Sequence, residues 1–547
     1  MRSERAVSCL VLLAMAGCAV GPDYERPDVR LPGQWSLAAS TRPAGAATRP
    51  AAAAPPVDLT EWWQALGDPR LDELIRRASE SNLDLRIATA RVAEARALRD
   101  VAVADFWPQV NLNGSYAYRG SSRNASRQRS ASLNWRSQLA RSAAAGASNA
   151  IGNQVNNLLN PGGTGGTGGT GAGGLGSGGG SGLAGGSTGQ AIRDVHLFQA
   201  GFDASWELDV FGRIRRSVEA ADADVQASEE DRRAVLVTLL ADVALNYVQL
   251  RGYQQRLAVA ERNIIDQQAT VDVTEDRHRA GFSPELEVHQ ARALLETTQS
   301  QVPLLSSAIR QSIYQLGVLL GEPPEALLEE LLADAPIPTA PPEVPMGLPS
   351  DLLRRRPDVR AAERALAAAT ARIGVATADL FPTFSLTGNV GPATSNIKHF
   401  LDENSLAWSV GPGVSWPVFQ GGRIQANIRA QNARQEQALA AYARAVLTAL
   451  QEVENALVAY NNEKVRYETL ARAVHANQEA VAIATLREEK GVVNFLSVID
   501  SLRSLYSTQD QLIQSQTTTL TNLIALYKAL GGGWEPPEDM RTENSDR

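Results

Sequence analysis

One stretch of this chain occurs twice, and that duplication constrains the fold more than any local propensity does. Residues 84–108 read DLRIATARVAEARALRDVAVADFWP, and residues 358–382 read DVRAAERALAAATARIGVATADLFP. They align without a gap, so that Asp84 falls on Asp358, Arg86 on Arg360, Asp105 on Asp379 and Pro108 on Pro382, an offset of 274. A second pair, GFDASWELDVFGRI (201–214) and GPGVSWPVFQGGRI (411–424), aligns at an offset of 210. A third keeps that offset: Arg277, Gly281, Leu286 and Val288 fall on Arg487, Gly491, Leu496 and Val498. The chain is a tandem duplication. The fall from 274 to 210 places 64 extra residues in the first copy, between Pro108 and Gly201.

Both copies change period at the same point. Helical spacing starts at Asp68-Pro69, with Pro at the first helical position, and runs to about Ala104. After Phe106-Trp107-Pro108, Val110, Leu112, Tyr116 and Tyr118 alternate with Asn111, Asn113 and Ser115. Phe198, Phe202, Trp206 and Leu208 alternate with Gln199, Asp203, Ser205 and Glu207, and the second copy repeats this around Phe384–Val390 and Trp408–Val418. This is the pattern of strands with one apolar and one polar face. A membrane barrel and a soluble sandwich both carry it. Phe198 and Trp206 are eight residues apart, as are Trp408 and Trp416. Eight residues of strand rise about 26 Å, close to the roughly 25 Å apolar band that aromatic girdles bound in outer-membrane barrels. The four aromatics are therefore expected at a membrane girdle. With the apolar face on lipid, Asp203, Glu207 and Asp209 are expected to line the lumen and to favour cations. Beyond the N-terminus no run of eighteen apolar residues occurs, so a membrane crossing falls to strands.

From Gly212-Arg213 a helical pattern runs to about Arg279, breaks at Gly281, and returns to about Leu320. The second copy runs from Arg423 to about Lys490, breaks at Gly491, and returns to about Leu530. A helix of about 67 residues spans about 100 Å. Hairpins of that length suit a coiled-coil tube or spacer better than a globular core.

Residues 1–17 have the basic start and apolar centre of a secretory signal peptide. Met15-Ala16-Gly17-Cys18 resembles a lipobox, with Cys18 as a lipid anchor; an ordinary signal with an incidental cysteine is the alternative. Without lipid, Cys18 would be a lone thiol in an oxidising compartment. Ala19, where an Asp would resemble an inner-membrane retention signal, leans towards the outer membrane. Residues 18–61 are expected to be an extended tether. Residues 62–334 form the first repeat, with a Gly-rich external loop at 119–195 expected to be disordered. A Pro-rich linker follows at 335–349, then the second repeat at 350–531 and a disordered tail at 532–547.

Chemistry is excluded more easily than it is found. The net charge of −8, with no basic block, argues against nucleic acid. Cys9 and Cys18 are the only cysteines, and the five histidines show no metal-ligand spacing. No nucleophile elbow, dinucleotide loop or phosphate loop occurs. The expectation is no enzyme, no cofactor and no metal.

The lipobox with GPDYERP, the WW…DPRLDEL opening, RRRPDVRAAE, the duplicated ADFWP/ADLFP and VSWPVFQGGRI together resemble the outer-membrane efflux lipoproteins of the TolC family, in the OprM/NodT-like branch. The resemblance covers nearly all of the chain from Cys18 to about Gly531. It implies a mostly α protein with membrane β: a homotrimer whose protomers each give four strands to a 12-stranded β-barrel and helices to a periplasmic tunnel. Four one-sided strands cannot close a barrel alone, which agrees. The resemblance also implies a passive export duct for drugs, toxic compounds or metal ions, sited in a Gram-negative outer membrane. Its partners would be a periplasmic membrane-fusion adaptor, an inner-membrane pump of RND type and outer-membrane lipid. Family members close the periplasmic end with acidic rings near the second hairpin break. By motif match Asp500 takes such a position, whereas Ser497, Glu488 and Val493 depart from the family pattern.

Overall fold

The computed structural model describes residues 19–27, 32, 35, 59–119, 195–339 and 355–534. A short 3-10 turn at Trp62–Leu66 leads into α1 (Pro69–Ser81) and α2 (Leu83–Ala104), then β1 (Gln109–Arg119) and β2 (Val195–Leu208). α3 (Arg213–Arg279) follows, then α4 (Glu285–Gln299), α5 (Gln301–Leu319) and the short α6 (Leu328–Leu331). The second copy gives α7 (Pro357–Ala378), β3 (Thr383–Thr394), β4 (Leu406–Ser415), α8 (Arg423–Glu489) and α9 (Phe495–Ala529). Both long helices have 67 residues, as the 210 offset requires.

The chain divides into two units. The first comprises residues 1–23, 98–220 and 370–433. Its sheet has the order β1-β2-β3-β4, with every neighbour antiparallel. In the first hairpin Gln109 faces Ser205, and in the second Thr383 faces Ser415. These positions differ by 274 and 210, the two sequence offsets, so the hairpins repeat each other residue for residue. A one-residue slip would have reversed every face.

The second unit comprises residues 24–97, 221–369 and 434–547. Its core draws on both copies: Leu74, Tyr247, Leu316, Tyr442 and Leu523 are fully buried in one cluster. α1 starts at Pro69 because Asp68 accepts from the Arg70 N–H at 2.9 Å, and Tyr247 Oη donates to the other carboxylate oxygen of Asp68 at 2.6 Å. Gly281 (φ 79°) and Gly491 (φ 70°) end the two long helices in left-handed turns, where a side chain would be strained. The N–H of Phe282 reaches back to Arg277 O at 2.8 Å and that of Val492 to Arg487 O at 2.9 Å, the same closing bond in both copies.

Several expectations change. The first helix breaks at Asn82, whose side chain caps α2 by accepting from Leu85 N–H and donates to Leu319 O. Trp35 lies inside the expected tether yet is 3% exposed, in the core cluster. Trp534 lies inside the expected tail, but its indole donates to Arg355 O at 2.8 Å, and Arg233 and Arg360 cover its ring. β2 begins at Val195, at the loop's expected end. One window of α3 is apolar enough to cross a membrane by composition alone, and half of that window is buried within the protein, which reads as a core helix. The expected signal peptide, Cys18 and the Gly-rich run lie outside the described residues.

Candidate functional site

The sheet itself is the first functional element. Leu112, Phe202, Val390 and Trp408 form one rung of its apolar face across all four strands. Asn111, Asp203, Asn389 and Ser409 form the rung beside it on the polar face. There Asn113 donates to the Asp203 carboxylate, and Ser409 Oγ donates to Asn389 Oδ1 at 3.0 Å. β1 and β4 have no strand on their outer sides among the described residues. The exposed residues on the apolar face include Leu112, Phe202, Trp408 and Val410. A sheet apolar across one whole face, polar across the other and open at both edges belongs in a closed barrel in lipid.

The expected girdle residues fall on different rungs of the sheet. Phe198 joins Tyr116, Tyr118 and His196 in an aromatic cluster at one end of β1 and β2, with ring centroids 4.8 Å apart for Tyr116–Phe198 and for Tyr118–His196. Trp408 lies on the Phe202 rung, four residues from that of Phe198. Trp206 and Trp416 have a further role. Trp206 Nε1 donates to Phe106 O at 2.8 Å, and Trp416 Nε1 donates to Leu380 O at 3.0 Å. Donors 210 apart meet acceptors 274 apart, so one latch between strand and preceding helix end has been built twice. Trp206→Phe and Trp416→Phe are each expected to cost about 1 kcal/mol, the net worth of one hydrogen bond. Both should lower by a few degrees the temperature at which the detergent-solubilised oligomer dissociates on a gel. An unchanged transition in both variants would show the bonds to be incidental.

The acidic residues expected to line the lumen separate into different roles. Asp203 stays on the polar face. Glu207 is held by Arg213 through two bonds of 2.9 and 2.7 Å. Asp209 corrects the expectation: the strand ends at Leu208, and the Asp209 side chain is 9% exposed. Its carboxylate accepts from the backbone N–H groups of Ile214 and Arg215, capping α3. Sequence alternation ran one residue past the strand and misassigned it. Beside Arg213 lie Asp105 and Asp379, the two copies of one residue. Burial pushes both carboxyls above the ordinary aspartate value, and the Arg213 charge pulls both back; Arg423 also pulls on Asp379.

In the second unit the hairpin ends form a separate cluster. Val271, Ala291 and Leu295 of the first copy bury against Ile499 of the second. Arg277 reaches across and binds Glu488, whose side chain is 9% exposed. Asp500 is next to buried Ile499 but points outward, 62% exposed, with Arg503 as a loose partner at 3.6 Å. Glu488 therefore makes an ion pair between the two copies, a role that the family pattern at that position did not suggest.

The segment after Cys18 is docked on the first unit. Val20 N–H donates to Phe211 O at 3.2 Å. Arg216, 6% exposed, donates to Val20 O at 3.2 Å and Asp23 Oδ1 at 2.6 Å. A Cβ at Gly21 would lie 2.4 Å from Gly374 Cα, so only glycine fits this approach.

Comparison with known proteins settles what this sheet belongs to. Residues 174–322 and 348–532 match the family described as outer membrane efflux protein. This chain belongs to that family. It is 32% identical over 499 residues to a pyoverdine export outer membrane protein of Pseudomonas putida, covering 91% of this chain and 93% of that protein. It is 27% identical to nodulation protein T of Rhizobium leguminosarum bv. trifolii, covering 98% and 99%. The solved structure of the outer-membrane channel OprN superposes with a TM-score of 0.76 at 33% identity, covering 95% of this chain and 100% of that one. The chain is an outer-membrane efflux channel, mostly helical with a membrane sheet, in the TolC-like fold of helical tunnel and β-barrel.

Proposed function

We propose that the channel works as a homotrimer, a passive duct that takes small molecules from an inner-membrane pump of RND type through a periplasmic membrane-fusion adaptor. The observation that carries this is the four-stranded sheet, one-sided and open at both edges. Three copies bring the strand number to twelve, within the range that closes in a membrane. Relatives named for toluene efflux, pyoverdine export and cation efflux match this chain over nearly its whole length. The cargo is accordingly set by the pump. A native mass of three protomers in detergent supports the reading, and a stable monomer that still spans a bilayer sinks it.

Lipidation at Cys18 fits the docked segment, since Ala19–Asp23 is held close to the strand ends, where an acyl chain would meet lipid. Asp500 is the periplasmic gate candidate: three outward carboxylates about one axis would repel each other and collect cations. Asp203 would give the barrel a matching ring. Asp203→Asn is expected to reduce the cation-to-anion permeability ratio severalfold, read as a shift of reversal potential in a salt gradient. A ratio unchanged from wild type would remove Asp203 from the conduction path.

A further inference from the structure

Both copies pass from strand to long helix through the same turn, but only the first turn is covered. Each carries a glycine at φ 81°, Gly212 in the first and Gly422 in the second. At Gly212 a Cβ would lie 2.7 Å from Ala19 Cα, because the segment after Cys18 lies over the turn; at Gly422 it would meet nothing within 4 Å. Phe211, whose carbonyl accepts from Val20 N–H, stacks on Phe381 with ring centroids 4.6 Å apart. Its equivalent 210 residues on is Gly421, where a Cβ would also meet nothing. Asp209 is almost buried as the cap of α3, whereas its equivalent is Phe419, 89% exposed, beside Val418 at 81%. The first turn is thus covered by a stretch of chain that the second turn lacks.

The bare apolar residues continue the lipid-facing side of the sheet. Val410, Val414, Trp416 and Val418 fall on alternate positions, and all four are exposed. They end where β4 gives way to α8, at the end of the sheet from which both long helices leave. In the TolC-like fold that end meets the periplasmic, phospholipid leaflet of the outer membrane. Arg423, the first residue of α8, is exposed and lies four positions beyond Phe419. Among the described residues its guanidinium bonds to the neutral side chain of Gln420, at 2.9 and 2.6 Å. Its counterpart Arg213 is held by Glu207, but the position 210 residues on from Glu207 is Pro417, so the second turn supplies no such carboxylate. An exposed apolar pair continuous with a lipid-facing surface, followed by a cation with no bonded carboxylate, complements an acyl chain and a phosphate together. We propose that the turn at 416–423 binds an anionic phospholipid of the inner leaflet, with an acyl chain against Val418 and Phe419 and the headgroup phosphate on the Arg423 guanidinium. The lipid takes on the second copy the place that the segment after Cys18 takes on the first. The inference needs only the membrane sheet and is independent of the number of copies in the channel.

The test uses the full-length protein in vesicles of phosphatidylethanolamine and phosphatidylglycerol, with every variant compared at the native mass of the wild type. Phe419→Cys and, separately, Val418→Cys carry a nitroxide spin label, and wild type treated in the same way is the blank for Cys18. Collisions of the label with dissolved oxygen, which concentrates among acyl chains, are compared with those of a water-soluble nickel chelate. Oxygen collisions are expected to exceed nickel collisions severalfold at both positions. An excess of nickel collisions places the turn in water, and few collisions of either kind place it under a neighbouring copy; each result overturns the proposal. The headgroup has its own readout, the phospholipid retained by the detergent-purified protein after exposure to phosphatidylglycerol or to phosphatidylcholine. Arg423→Gln is expected to lower retained phosphatidylglycerol at least threefold and to leave phosphatidylcholine unchanged, whereas Phe419→Ser lowers both. Equal phosphatidylglycerol on wild type and Arg423→Gln overturns the headgroup assignment, and equal retention on wild type and Phe419→Ser overturns that of the acyl chain.

Discussion

Gly391→Ala is expected to reduce the heat-resistant trimer at least tenfold. A Cβ built there lies 2.0 Å from Ala200 O and 2.4 Å from Gly201 Cα, both backbone atoms of the adjacent strand. No rotamer change relieves such a clash, so β2 and β3 must separate where one copy of the duplication meets the other. Overpacking typically costs about 1–3 kcal/mol, and a forced backbone shift sits at or above the top of that range. Gly114→Ala is the control: a Cβ there meets nothing within 4 Å. Normal trimer from Gly391→Ala on an unheated gel would show that the two strands have room to give.

Arg277→Ala is expected to raise the open probability of the purified channel about tenfold. Arg277 is the partner that Glu488 holds across the hairpin ends, and the Glu488 side chain is 9% exposed. Removing the guanidinium strands a desolvated carboxylate, which costs several kcal/mol in a fully buried site. Arg277 is itself 41% exposed, so solvent screening reduces this to about 1–2 kcal/mol. Released hairpin ends should separate more often, seen as longer openings in single-channel records. Arg277→Lys should restore part of the closure, because the charge remains but the fork is lost. Wild-type gating in Arg277→Ala, alongside an opened Asp500→Ala, would assign the Arg277 pair to packing alone and leave closure to the carboxylate ring.

Much of this fold was legible because the duplication is gapless over its longest stretch. A gapless alignment carries register with it, so the faces of all four strands and the ends of both long helices could be read from residue types and two offsets. Gly281 and Gly491 stood out because a left-handed helix end demands glycine. Partnerships across the fold were less legible. Trp206 and Trp416 read as girdle residues because alternation gives the face of a side chain and says nothing of the carbonyl its indole reaches. Glu488 and Arg277 are 211 positions apart, and no periodic pattern links them. Asp209 read as a lumen residue because its polar phase continued beyond the last strand residue. Trp35 and Trp534 each stand alone in a stretch with too few apolar neighbours to predict burial, and each is anchored by residues distant in sequence.

On the proposed reading, three copies of this chain enclose a conducting path. The most direct measurement is planar-bilayer conductance of the purified protein, with its native mass taken from the same sample. The expected result is a trimer that gives stepwise currents, a reversal potential favouring cations, and larger or more frequent steps in Asp500→Ala. A folded trimer that stays electrically silent in wild type and variant alike would contradict it.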